Sequence, residues 1–224
     1  MNIASYIDHT LLKPAILTAE IEKLCSEACA YGFAAVCVPP PFVKRSKTIL
    51  TPTNVKVATV IGFPFGYSVM EAKLAETVLA IVDGADELDM VVNITALKNA
   101  DWSYLEKEVK VVLEMVRNNK KVLKVIIESG ILTQHEIVEC CKLYADAGVD
   151  FVKTSTGYAE KGASVEDVQL MRKHLPSTVS IKASGGIRTY EFARQLIEAG
   201  ADRLGCSASV AIVSGAPGGD NGSY

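Results

Sequence analysis

The chain has 224 residues, 49% of them hydrophobic and 22% charged, with a formal net charge of −3. That length and apolar content suit one domain with a sizeable core, and a mildly acidic chain without a basic block or stripe is not built for nucleic acid. No run approaches the ~20 apolar residues of a spanning helix. Met1 to Asp8 lacks the basic and apolar parts of a secretory signal. The expectation is a cytoplasmic protein with neither a membrane nor a nucleic-acid partner.

The first predicted element is a short strand around Tyr6 to Leu11. After it a phrase recurs: a helix, a glycine, a small linker and an apolar strand. It is seen at Gly32 before Ala34 to Val38, at Gly84 before Glu87 to Val92, at Gly148 before Asp150 to Lys153, and at Gly200 before Arg203 to Gly205. Each glycine falls where a helix C-terminus needs a left-handed residue. Further strands are predicted for Val57 to Gly62, Val122 to Glu128 and Val179 to Ala183, which makes eight. Between them, Ser68 with Glu71, Thr133 with Glu136, and Ser164 with Asp167 have capping-box spacing. Tyr104 to Asn118 sets Leu105, Val109, Val112, Leu113 and Val116 on one helical face. Pro39-Pro40-Pro41 delays the helix after the second strand to about Phe42.

Near-continuous apolar strands joined through helices imply a parallel sheet covered on its outside. Eight such units in one chain predict a single-domain α/β protein, a TIM (β/α)8 barrel over residues 1–214. An open doubly wound sheet is the alternative, and no GxGxxG follows an early strand to support it. The glycine-rich residues 215–224 read as a flexible tail ending in Tyr224. The cysteines (Cys25, Cys29, Cys37, Cys140, Cys141, Cys206) and histidines (His9, His135, His174) show no metal-ligand spacing. Reduced thiols, no metal and no cofactor are expected.

A barrel does its chemistry at the C-terminal ends of its strands. Those ends are Asp8, Cys37, Asp89, Asn93, Glu128, Lys153, Lys182 and Ser207. Lys153 in an apolar strand reads either as a packed stem with its charge at the rim or as an amine held neutral for attack on a carbonyl. Lys182, on the next strand, weights the second reading, because two ammonium groups at one mouth repel until one loses its proton. Asp89 serves equally as an ion-pair partner or a proton-transfer group. Asp8 reads as a similar carboxylate or a cap, and Cys37 as a small strand residue or a pocket wall. Ser184-Gly185-Gly186-Ile187-Arg188 follows the seventh strand and Gly205-Cys206-Ser207 ends the eighth. Barrels most often build phosphate sites from those two loops, and Thr156-Gly157 offers further backbone donors.

Six blocks, one per strand and in order, resemble the deoxyribose-phosphate aldolases: Ile7-Asp8-His9-Thr10-Leu11-Leu12, Glu87-Leu88-Asp89-Met90-Val91, Leu123 to Glu128, Phe151 to Gly157, Ile181 to Arg188, and Arg203 to Ser207. The resemblance implies a class I aldolase that reversibly splits 2-deoxy-D-ribose 5-phosphate into D-glyceraldehyde 3-phosphate and acetaldehyde. It implies Lys153 as the Schiff-base nucleophile, Lys182 as the lysine that lowers its pKa, Asp89 for proton transfer and Asp8 beside Lys182. Gly157, Gly185, Gly186, Arg188, Gly205 and Ser207 fall in the family's phosphate-binding blocks. Tyr158 stands where some members have a lysine facing the phosphate, and Ala208 where some have a serine. Partners are then a sugar phosphate and an aldehyde, with a homodimer or other homo-oligomer the default assembly. A transaldolase-like or thiazole-synthase-like barrel and a non-catalytic sugar-phosphate binder are the rival readings.

Overall fold

Eight parallel strands pair in sequence order, and the first closes on the last. The computed structural model describes residues 1–215. The strands are β1 (Ile7–Thr10), β2 (Ala35–Val38), β3 (Lys56–Ile61), β4 (Glu87–Val91), β5 (Val122–Ile126), β6 (Phe151–Lys153), β7 (Ser180–Ser184) and β8 (Arg203–Cys206). Around them lie α1 (Thr18–Tyr31), α2 (Val43–Leu50), α3 (Met70–Val82), α4 (Ile94–Lys98), α5 (Trp102–Asn118), α6 (Gln134–Ala147), α7 (Val165–His174), α8 (Tyr190–Glu198) and α9 (Ser209–Ser214). The expected TIM barrel is the observed fold. The expected tail and Tyr224 lie outside the described residues.

The four phrase-ending glycines all take positive φ, from 68° at Gly32 to 114° at Gly200, so helices turn into strands within three or four residues. The predicted stripe of α5 is buried in full. Thr133 and Glu136 form their capping box and Ser164 caps α7. Ser68 does not cap α3, which begins one residue later than that spacing requires, after an extended Val69 without a side-chain cap. Pro40 to Phe42 form a 3-10 turn before α2 starts at Val43.

The main apolar core lies between the barrel's outer face and the helices, with Ile7, Val36, Leu88, Val125, Val152, Ile181 and Leu204 among its strand members. Strand side chains alternate in direction, so the intervening residues point inward. There the packing differs from that of an ordinary barrel. Cys37, Ala58 and Val60 form a small inner cluster with Leu12, while Asp8, Glu87, Asp89, Lys124, Lys153 and Lys182 are all buried. Among the described residues no helix is long and apolar enough to cross a membrane.

Candidate active site

Burying a charge is tolerable only when it is paired and hydrogen-bonded, and the barrel's inner charges are. The lower layer is a ring of salt bridges. Lys124 Nζ donates to Glu87 Oε2 at 2.6 Å and to Asp89 Oδ1 at 2.8 Å. Arg203 reaches Asp8 through Nε at 2.8 Å, and through Nη2 both Asp8 and, at 3.1 Å, Glu87. Above it stand Lys153, the last residue of β6, and Lys182, in the middle of β7 rather than at the expected strand end. Lys182 Nζ donates to Asp8 Oδ2 at 2.5 Å and Asp89 Oδ2 at 2.7 Å. Lys153 Nζ donates to that same Asp89 oxygen at 2.8 Å. Lys124 meets Glu87 and Asp89, and Arg203 meets Asp8, between neighbouring strands. Lys182 reaches Asp8 and Asp89, Lys153 reaches Asp89 and Arg203 reaches Glu87 from strands that are not neighbours in the sheet.

The lysines differ in their partners. Lys182 has two carboxylates, and although burial works against its charge, Asp8 and Asp89 hold its pKa well above the ordinary range. Lys153 has only Asp89. Burial, helped by the positive Lys182, pushes its pKa down against that single carboxylate. Burial would raise both aspartates, but Lys124, Lys153 and Lys182 hold Asp89 far below the usual carboxylate range. Arg203 and Lys182 do the same for Asp8. The result is one lysine whose proton is held less tightly than usual beside another whose charge is stabilised, with ionised carboxylates to orient both.

The structure thus brings Asp8, Asp89, Lys153 and Lys182 together. Cys37 is buried in the inner cluster, where burial raises its thiol pKa. Its cluster partners Leu12 and Val60 line a cavity of 210 Å3 together with Pro39, Pro40, Phe63 and Glu76; Cys37 itself is not part of that lining. Thr156 is buried; its N–H donates to Glu128 Oε1 at 3.1 Å and its hydroxyl donates to the other carboxylate oxygen. Glu128, named above only as a strand end, therefore holds the start of the β6–α7 loop.

Gly157, Gly185 and Gly186 sit on adjoining loops with φ between 75° and 91°. Open space lies where a Gly186 Cβ would stand. Arg188 and Ser207 are exposed at the same end of the barrel. Gly205 differs from the other glycines. It lies within β8, and a Cβ there would come within 2.9 Å of the Ser184 side chain and 3.2 Å of Lys182 Cε. Its bareness makes room for Lys182. Tyr158 spans the mouth: its hydroxyl donates to the Leu12 carbonyl at 2.9 Å and its ring meets Phe63 edge-on.

Lys124, Glu87 and Arg203 were not anticipated as site residues. The signal that drew attention to Lys153, a charge inside an apolar strand, marks Lys124 in Val122-Leu123-Lys124-Val125-Ile126 equally well. None of the three is the last residue of its strand: Lys124 stands mid-strand in β5, and Glu87 and Arg203 open β4 and β8. Gly162 was missed as well: a Cβ on it would fall 2.4 Å from the Gly185 carbonyl oxygen.

A profile for the DeoC/LacD family aldolases matches residues 2–216. A deoxyribose-phosphate aldolase of Thermoanaerobacter sp. (strain X514) is 53% identical over 214 residues, covering 95% of this chain and 96% of that protein. One from Thermococcus gammatolerans is 52% identical, covering 96% and 97%. The crystal structure of a putative deoxyribose-phosphate aldolase from Coccidioides immitis superposes with a TM-score of 0.92 at 43% identity, covering 96% of this chain and 85% of that one. Another, from Aeropyrum pernix and described as a unique tetramer, gives 0.89 at 32% identity, covering 95% and 89%. The chain belongs to the DeoC/LacD family of aldolases.

Proposed function

We propose that this aldolase reversibly cleaves 2-deoxy-D-ribose 5-phosphate to D-glyceraldehyde 3-phosphate and acetaldehyde through a Schiff base on Lys153. The observation that carries the reading is the asymmetry of the two lysines. Lys153 is buried, has a lowered pKa and has one carboxylate partner, whereas Lys182, on the neighbouring strand, shares that carboxylate and keeps its charge. The former is a nucleophile and the latter the cation that keeps it one.

In the forward direction the neutral Lys153 amine adds to the aldehyde carbon C1 of the open-chain sugar. The carbinolamine loses water to become an iminium. Its positive nitrogen withdraws electrons from C2, so the C2–C3 bond breaks while a base removes the C3 hydroxyl proton. Asp89 Oδ2, which touches both amine nitrogens, accepts that proton through a water and Lys182. Glyceraldehyde 3-phosphate leaves, the enamine is protonated at C2, and hydrolysis frees acetaldehyde and the Lys153 amine.

For the phosphate, the reading assigns backbone N–H groups of the Gly157 and Gly185-Gly186 loops, with Arg188, Thr156 and Ser207 around them. Gly205 contributes by leaving room for Lys182. Tyr158 is engaged with the Leu12 carbonyl, so it shapes the mouth rather than supplying a cation, and Ala208 adds no hydroxyl. The protein is read as a cytoplasmic homo-oligomer.

Borohydride with acetaldehyde is the test. A reduced adduct on Lys153, identified by peptide mass spectrometry, is expected, and Lys153→Ala should lose both adduct and turnover. An adduct on a different lysine would overturn the assignment. A panel of deoxyribose, fructose and ribose phosphates checks the substrate.

A further inference from the structure

His9 follows Asp8 in β1 and points the other way, into the layer between the barrel and its helices. Its ring is buried and meets the Phe33 ring edge-on. Nε2 lies 2.9 Å from Glu27 Oε2 of α1, and Nδ1 lies 2.9 Å from Ser209 Oγ at the start of α9. That hydroxyl also lies 2.8 Å from the carbonyl oxygen of Cys206, the last residue of β8. Ser207, assigned above to the phosphate, sits between the two anchored residues. The chemistry at the mouth uses none of these groups.

Proton counting makes this chain of contacts a switch. A serine hydroxyl has one proton and here two acceptors. When His9 is an imidazolium, both ring nitrogens donate: Nε2–H to Glu27 and Nδ1–H to Ser209 Oγ. The serine proton is then committed to the Cys206 carbonyl. A neutral His9 must keep its proton on Nε2, since a bare Nε2 would set a lone pair against the Glu27 carboxylate. Nδ1 then becomes an acceptor, competes for the serine proton, and the Cys206 carbonyl loses its donor. The charged groups around the ring are Glu27 and, 3.7 Å from Glu27, Lys23, both of α1; β8 and α9 present Cys206 and Ser209. Burial lowers the His9 pKa while Glu27 and the Cys206 carbonyl pull it back up, which places the exchange on the acid side of neutrality.

We propose that His9 is a positioning residue for the loop between β8 and α9, and that its protonation, relayed through Ser209 to the Cys206 carbonyl, tightens that loop's hold on the substrate's phosphate. The inference rests on the phosphate reading given under Proposed function. A phosphate ester itself titrates near pH 6, so the probe is inorganic sulfate, whose charge is constant, as a competitive inhibitor measured from pH 5 to pH 8.

In the wild type, sulfate should bind roughly three- to tenfold more tightly at the acid end, the worth of one hydrogen bond. Ser209→Ala, which keeps the His9–Glu27 pair, and His9→Gln, which cannot titrate, should each flatten that dependence. Turnover of unphosphorylated 2-deoxyribose shows that both variants fold with a working Lys153. An unchanged pH dependence of sulfate inhibition in Ser209→Ala would overturn the switch. A wild type that neither binds sulfate nor prefers phosphorylated over plain deoxyribose would instead overturn the phosphate reading beneath it.

Discussion

Lys153 and Lys182 donate to one and the same oxygen of Asp89, at 2.8 and 2.7 Å. Two amines sharing an acceptor in a buried site cannot both be charged without strong repulsion. The extra carboxylate on Lys182, Asp8, favours the charge on that lysine over Lys153. Much of the site's behaviour follows from that arrangement.

Replacing Lys182 with leucine removes the cation that disfavours charge on Lys153. The Lys153 pKa then rises toward its ordinary value, and the fraction of free amine at neutral pH falls. A neighbouring charge moves a pKa by about one to three units, so kcat/KM near pH 7 should drop about ten- to a thousandfold. Part of the loss should return as pH is raised. A kcat/KM profile with its acid limb displaced upward is the expected result. An unshifted profile would show that the two lysines are not coupled.

Asp89→Asn separates nucleophile from proton transfer. Losing the carboxylate removes what holds the Lys153 pKa up, so the amine remains free to form an adduct. What disappears is the acceptor for the C3 hydroxyl proton. Borohydride trapping with acetaldehyde should continue while turnover falls by about 10²–10⁴, the usual range for a general base. Equal loss of both would instead mean that Asp89 only holds Lys153 in place.

The barrel was legible in the sequence because its evidence is repetitive. Gly32, Gly84, Gly148 and Gly200 recur at the same point of the unit, each followed by an apolar strand, and one mistaken cap at Ser68 does not disturb that count. The mouth was legible because Lys153, Lys182 and Asp89 are charges inside apolar strands, although only Lys153 ends its strand and the other two stand mid-strand in β7 and β4. The ring beneath was not. Lys124 and Arg203 pair with Asp89, Glu87 and Asp8 over separations of 35 to 195 residues, and sequence spacing carries no trace of such pairs. Gly205 shows the same limit. Its block matched a phosphate motif, but only the register of β7 on β8, with Ser184 opposite Gly205, reveals that its missing side chain serves Lys182.

Gly162→Ala should disturb the phosphate loops and spare the lysines. The new methyl would fall 2.4 Å from the Gly185 carbonyl oxygen and 2.5 Å from its carbon. Both are backbone atoms, so the loop after β7 has to move. Overpacking of this kind destabilises by about 1–3 kcal/mol. The KM for deoxyribose 5-phosphate should rise severalfold, with kcat on unphosphorylated 2-deoxyribose little changed. A variant that loses kcat on both sugars and keeps its KM would place Gly162 in the service of the lysine site instead.

Acid should unfold this protein through its barrel interior. Asp8 and Asp89 are held below their unfolded-state pKa by Arg203 and by Lys124, Lys153 and Lys182, in spite of their burial. A carboxyl whose folded pKa is depressed stabilises the fold at pH values above the unfolded pKa, about 3.9 for aspartate. That contribution is lost as pH falls from there toward the folded value. Glu108 and Glu128 act in the opposite sense, because burial raises their pKa and protonation relieves them. Above about pH 4 that relief is opposed by the cost of charging the buried His9, whose pKa is lowered, so the urea midpoint should fall steeply only below about pH 4. Asp8→Asn, which leaves Lys182 and Arg203 short of a counter-charge, should begin from a lower midpoint and descend less steeply. Parallel curves for variant and wild type would mean that the Asp8 pairing contributes nothing to acid sensitivity.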